Sequence, residues 1–121
     1  MDSPLARFSH VVLRVSDLER SAGWYGAALG LERRDAFEGI ASMHSPDGAW
    51  RVILRGGARD GVGELDHLAF CVPDEETLAD WSAHLREAGV DHAGPKQGGA
   101  GLEVTLHDPD GTEIELIVER R

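Results

Sequence analysis

The chain has 121 residues, 41% apolar and 28% charged, with a net charge of -10 and a single cysteine. That length supports one domain with a core of its own rather than two, and the composition is that of a globular chain, not a disordered one. So acidic a surface disfavours nucleic acid, no apolar run reaches the roughly 18–20 residues of a membrane helix, and Cys71 has no partner for an internal disulfide.

The segment Met1 to Arg7 has no apolar stretch after its charges, so it does not read as a secretory signal. With one cysteine, the compartment expected is a reducing one, the cytoplasm. The acidity itself has two readings, plain solubility or attraction for a cationic ligand.

In chain order, Val11 to Val15 is a short apolar run that reads as a strand. A helix is expected from about Asp17 to Leu29. Ser16 and Glu19 have the spacing of a capping box, Leu18, Ala22, Tyr25 and Leu29 share one face, and Gly30 is the stop. Ile40 to His44 and Trp50 to Arg55 follow as strands around Ser45-Pro46-Asp47-Gly48, a turn sequence. Gly56 to Gly63 reads as a linker. Leu68 to Val72 is a second buried strand. A second helix starts at Asp74, carries Leu78, Trp81 and Leu85 inward, and ends at Gly89. Gly94 to Gly101 reads as a mobile loop, either a lid or, more commonly for such a stretch, a plain flexible hairpin. Leu102 to His107 and Glu113 to Val118 are strands joined by Asp108-Pro109-Asp110-Gly111.

The two halves repeat one another. Phe8-Ser9-His10-Val11-Val12-Leu13-Arg14-Val15-Ser16-Asp17 parallels Leu65-Asp66-His67-Leu68-Ala69-Phe70-Cys71-Val72-Pro73-Asp74, each with an Asp seven residues after its histidine. Strand alternation puts His10, Val12 and Arg14 on one face, His67, Ala69 and Cys71 on the matching face, and Glu113, Glu115 and Ile117 together on the last strand. A single histidine or glutamate in a strand is ordinarily a packed or solvated residue. Two histidines at equivalent places of a repeat, with Glu115 facing away from the helices, make His10, His67 and Glu115 a candidate two-histidine, one-carboxylate site for a divalent metal with open positions.

These segments resemble the vicinal oxygen chelate superfamily, the glyoxalase, bleomycin resistance and extradiol dioxygenase group. The resemblance rests on Phe8 to Ser21 with Trp24-Tyr25, on Leu65 to Phe70, and on Asp108 to Leu116. It implies an α+β fold of two βαβββ modules forming a curved eight-stranded mixed sheet around a metal-binding concavity. The chain would be a single domain over 1–121, with module one at about 6–56, a linker at about 57–63 and module two at about 64–119. The ligands it implies are His10, His67 and Glu115. The first module's last-strand position, counted from Ser45-Pro46-Asp47-Gly48, is Val52, which cannot ligate. Glyoxalase I and the epimerase-like members use a fourth protein ligand there, so the resemblance leans toward three-ligand members. Those are the extradiol dioxygenases, which use Fe(II), and the fosfomycin-modifying enzymes, which use Mn(II). Zn and Ni are further candidates.

Three departures from those subgroups are visible. Extradiol enzymes carry a tyrosine where this chain has Thr105, and an upstream histidine with no counterpart here. Thiol-transferring fosfomycin enzymes carry a threonine where Val12 stands. The favoured expectation is a metal-dependent enzyme of dioxygenase type on a small oxygen-containing substrate, the metal acting as Lewis acid and template. The alternatives are an antibiotic-modifying transferase or hydrolase, and a drug-sequestering protein of the bleomycin-resistance kind. His107, on the face of Thr105, is the candidate acid–base residue, and Arg14 the candidate holder of a substrate carboxylate or phenolate. Their plain alternatives are a turn-bonded rim histidine and an arginine paired with a buried acid. His44 occupies the equivalent place in the first half, His84 and His92 are expected to face water, and Trp50 with Val52 and Leu54 is expected to form an apolar wall. The resemblance further implies a homodimer, with the site inside one chain or shared between two.

Overall fold

The structure, a computed structural model, describes residues 8–57, 65, 67–98 and 101–119. The chain divides into two compact units, Met1–Ala58 and Arg59–Arg121. In the first, strand β1 (His10–Val15) leads into helix α1 (Leu18–Leu29), then β2 (Glu32–Phe37), β3 (Ile40–His44) and β4 (Arg51–Gly56). The sheet order is β1-β4-β3-β2. β1 runs parallel to β4, and the other neighbours are antiparallel. The second unit repeats the plan with β5 (His67–Cys71), α2 (Glu75–Glu87), β6 (His92–Gln97), β7 (Gly101–His107) and β8 (Glu113–Glu119). Its order is β5-β8-β7-β6, again with one parallel pair, β5 and β8. The class is α+β, each unit is one βαβββ module, and the eight strands form two four-stranded mixed sheets, one in each unit. No helix among the described residues is long and apolar enough to cross a membrane.

Each helix is fastened where its sequence provides a cap. Asp17, not Ser16, is the N-cap of α1, its carboxylate accepting from the Arg20 backbone N–H, while Ser16 Oγ accepts from the Arg20 guanidinium instead. Gly30, at φ 70°, closes the helix in the left-handed conformation. Asp74 caps α2 by accepting from the Thr77 backbone N–H, and hydrogen bonds from the Thr77 side chain and then its backbone hold the carboxyl below the usual carboxylate range. α1 packs on β2, β3 and β4, and α2 on β6, β7 and β8. Beneath α1 lie Leu13, Val15, Met43, Val52 and Leu54, with Tyr25 of the helix wholly buried. Beneath α2 lie Val104, Leu106, Ile114 and Leu116, met by Leu78 and Leu85. Trp81 is only half-buried, and Ser82 takes the inner position beside Leu78 and Leu85.

Two strands escape the periodicity. β2 opens Glu32-Arg33-Arg34, and β6 reads His92-Ala93-Gly94-Pro95-Lys96-Gln97, so neither alternates apolar with polar. Both are edge strands with a register irregularity, the place where charge, proline and glycine are tolerated in a sheet. Half of the expected lid, Gly94 to Gln97, therefore belongs to the edge strand β6, Gly101 opens β7, and Gly99 and Ala100 lie outside the described residues. Residues 58–63 of the expected linker also lie outside them.

The two strand-joining turns differ by one residue, and this decides the faces of β4. In the second unit the Asp108 N–H donates to the Thr112 carbonyl (3.0 Å), closing five residues. In the first unit the Ser45 N–H donates to the Trp50 carbonyl (3.0 Å), closing six. Both turns keep their glycine at positive φ, Gly48 at 74° and Gly111 at 85°. A carboxylate fastens each: Asp47 accepts from the Ala49 N–H and from Ser45 Oγ, and Asp108 from the N–H groups of Asp110 and Thr112.

Candidate metal centre

The second sheet has one face under α2 and one face open. β5 pairs with β8 so that His67 lies beside Glu113, Ala69 beside Glu115 and Cys71 beside Ile117. β7 continues the rows, with His107 beside Glu113, Thr105 beside Glu115 and Glu103 beside Ile117. Paired residues on neighbouring strands point the same way, so all nine share the face away from α2, where eight are exposed or half-buried and Ile117 is buried. Ile114 and Leu116, of the other parity, are buried. Glu115 therefore points away from the helix, as its alternation predicts.

On this face His67 Nε2 stands 3.9 Å from Glu115 Oε2, with side-chain exposures of 42% and 19%. Ala69, beside Glu115 in the register, adds only a methyl group to that corner. The separation is too long for a hydrogen bond. Two ligand atoms each about 2.0–2.2 Å from one cation, at angles near 90–110°, stand about 3.0–3.5 Å apart. A side-chain shift of about half an ångström would bring this pair into that range, so an imidazole nitrogen and a carboxylate oxygen here suit a divalent cation. Alongside, His107 Nε2 lies 3.9 Å from Glu113 Oε1. Glu113 thus stands in the row between His67 and His107, a neighbour that the sequence reading placed on the face without assigning it a part.

The first sheet also has an open face. His10, Val12 and Arg14 are exposed, whereas Leu13 and Val15 are buried. His10 Nδ1 lies 2.8 Å from Ser9 Oγ. In the tautomer that donates from Nδ1 to Ser9, the Nε2 lone pair is left for a ligand. The structure thus brings together His67 and Glu115, while His10 stands on the first unit's sheet. Among the described residues no group of three or more His, Cys, Asp or Glu side chains is arranged to hold a metal ion.

The register corrects two readings of β4. Arg51 lies beside His10 and Ile53 beside Val12, just as Glu113 lies beside His67 and Glu115 beside Ala69. The counterpart of Glu115 is consequently Ile53. Val52, 1% exposed, faces the core with Leu54, so neither belongs to a wall on the open face with Trp50. Counting from the glycine misplaces the position because the first turn is one residue longer. The conclusion drawn from Val52 survives, since isoleucine cannot ligate either. Arg51 and Arg55, missed for the same reason, stand on the open face beside His10 and Arg14. His44 is on that face too, its Nε2 2.8 Å from Ser42 Oγ. His84 is exposed, as expected. His92 is half-buried, bonded to Ser82 Oγ (2.8 Å) and to the Val90 carbonyl (3.1 Å), rather than facing water.

Residues 7–116 match the family described as the Glyoxalase/Bleomycin resistance protein/Dioxygenase superfamily. Biphenyl-2,3-diol 1,2-dioxygenase 3 of Rhodococcus globerulus is 28% identical over 120 residues, which cover 93% of this chain and 63% of that one. This chain thus spans less than two thirds of that relative's length. Lactoylglutathione lyase of Salmonella typhimurium is 27% identical over 132 residues, 92% of this chain and 91% of the lyase. The crystal structure of a glyoxylase/bleomycin resistance protein/dioxygenase domain from Frankia superposes with a TM-score of 0.82 at 27% identity, covering 97% of this chain and 100% of that one. With the duplicated βαβββ plan and a match across both modules, the chain belongs to the glyoxalase, bleomycin resistance protein and dioxygenase superfamily, the vicinal oxygen chelate group.

Proposed function

We propose that His10, His67 and Glu115 hold one divalent metal ion, Fe(II) or Mn(II) in preference to Zn or Ni, and that the protein is a cytoplasmic, homodimeric enzyme of the dioxygenase type acting on a small oxygen-bearing compound. The observation that carries this reading is the pair His67 Nε2 and Glu115 Oε2, 3.9 Å apart on the open face of the second sheet. The bound metal would supply Lewis acidity and a template for substrate oxygens. Three protein ligands leave positions free for substrate, and Ile53, at the counterpart of Glu115, adds no fourth. That favours the dioxygenase type over a lyase with four protein ligands. His107, with Glu113 3.9 Å away, is the candidate to take or return a substrate proton, and Arg14 the candidate to bind a substrate carboxylate or phenolate.

The test is metal content by plasma mass spectrometry of protein purified without added metal, beside His10→Ala, His67→Ala and Glu115→Gln. Stoichiometric metal in the parent and loss in all three variants is expected. Equal retention in the variants would remove the ligand assignment. Oxygen uptake with biphenyl-2,3-diol after anaerobic Fe(II) loading then tests the reaction type, and metal retention without oxygen consumption would turn the reading away from a dioxygenase.

A further inference from the structure

The open face of the first sheet carries three arginines. Arg14 on β1 lies directly beside Arg55 on β4, and Arg51 lies beside His10. Adjacent strands are about 4.8 Å apart, so Arg14 and Arg55 form a like-charged pair of the kind that weakens a sheet. The chain has 22 acidic residues against 12 lysines and arginines, so carboxylate partners are in ample supply. Yet among the described residues none of the three guanidinium groups makes an ion pair or hydrogen bond. On the far edge of the same row, Glu32 lies beside His44 and pairs with Arg34 (3.3 Å). The floor between the two charged ends is apolar: Val12, 51% exposed, lies beside the half-buried Ile53.

We propose that this strip binds an organic acid: its carboxylate between the Arg14 and Arg55 guanidinium groups, its apolar body on Val12 and Ile53, and its far end toward His10 and Arg51. Two guanidinium forks facing one carboxylate offer parallel N–H···O bonds that lysines would not. The anion cancels the repulsion that the empty pair sustains. His10 and Arg14 are four residues apart on one strand face, about 13 Å between Cα atoms, a span suited to one ring with a short acid-bearing tail. The inference deepens the reading above by naming the substrate class, and it rests on that reading only for the part His10 plays.

The experiment uses metal-free protein, so it can fail or succeed apart from the metal assignment. Benzoate is titrated in low salt and followed by backbone amide NMR, with benzamide as the uncharged control. Saturable shifts at β1 and β4 are expected with benzoate and not with benzamide. At least a tenfold weakening is expected in Arg55→Gln and Arg14→Gln, and a marked weakening when salt is raised from about 20 to about 300 mM. Benzoate binding that is absent, or the same in both arginine variants, overturns the proposal. So does a change from dimer to monomer in Arg55→Gln without any change in benzoate affinity, which would mean that a second copy covers these arginines.

Discussion

The one-residue difference between the two turns predicts opposite fates for the same substitution at neighbouring positions. Val52 is 1% exposed beneath α1 with Leu54 and Met43, whereas Ile53 is half-buried on the open face between Arg51 and Arg55 of its own strand. A lone carboxylate among apolar side chains takes up a proton rather than stay charged. Holding a glutamate neutral at pH 7 costs about 3.7 kcal/mol, given its ordinary pKa near 4.3. Added to the strain of a longer side chain in a packed core, about 1–3 kcal/mol, Val52→Glu should cost about 5–7 kcal/mol. That is a large part of the roughly 5–15 kcal/mol available to a domain. The sign with pH follows from the raised pKa in the folded state. The penalty is fully present at neutral pH and shrinks as pH falls toward the unfolded value near 4.3. Ile53→Glu forfeits part of an apolar contact, about 1 kcal/mol, against a gain of about 0.2–1 kcal/mol from the flanking arginines. Its net change should lie within about 1 kcal/mol. It also puts a carboxylate at the counterpart of Glu115, so divalent-metal affinity should rise. Urea denaturation followed by circular dichroism at pH 7 and pH 4.5 reads the stabilities, and metal titration reads the affinity. Should Val52→Glu stay within 1 kcal/mol of the parent while Ile53→Glu loses more than about 3 kcal/mol, the register argued for β4 would be wrong.

Three further predictions concern stability. Gly94→Ala should lower it by about 1–3 kcal/mol, because φ is +96° and the new Cβ would stand 2.5 Å from the Glu103 carbonyl oxygen across the β6–β7 pair. Gly23→Ala, in the middle of α1 with nothing within 4 Å of the new Cβ, should raise it by about 0.5–1 kcal/mol; thermal melts of both variants moving in one direction would contradict this. The Asp74 cap should make stability fall on acidification. Its carboxyl is held below the usual range by the Thr77 hydrogen bonds, so its contribution is complete above the ordinary carboxylate pKa and is lost as pH drops through the lowered one. Asp74→Asn keeps an acceptor at the cap and should flatten that part of the pH profile; an unchanged profile in melts between pH 6 and pH 2.5 would count against the cap as its source.

Local signals carried a good share of this fold. The paired histidine strands, both turns with their glycines, the helix stops at Gly30 and Gly89 and the Asp74 cap are each encoded within a few neighbouring residues. The face of Glu115 was legible for a related reason: in β8 the two parities differ in chemistry, Glu113 and Glu115 against Ile114 and Leu116. β4 offers no such contrast. In Arg51-Val52-Ile53-Leu54-Arg55 apolar residues occupy both parities, so alternation alone cannot say which side faces α1. Hydrogen bonding across the turn settles it, since the longer closure from Ser45 to Trp50 shifts the strand by one residue and a shift of one reverses every side chain. The edge strands β2 and β6 were equally hidden, because their pairing comes from neighbours distant in sequence and an edge position tolerates charge, proline and glycine that no isolated strand pattern would suggest.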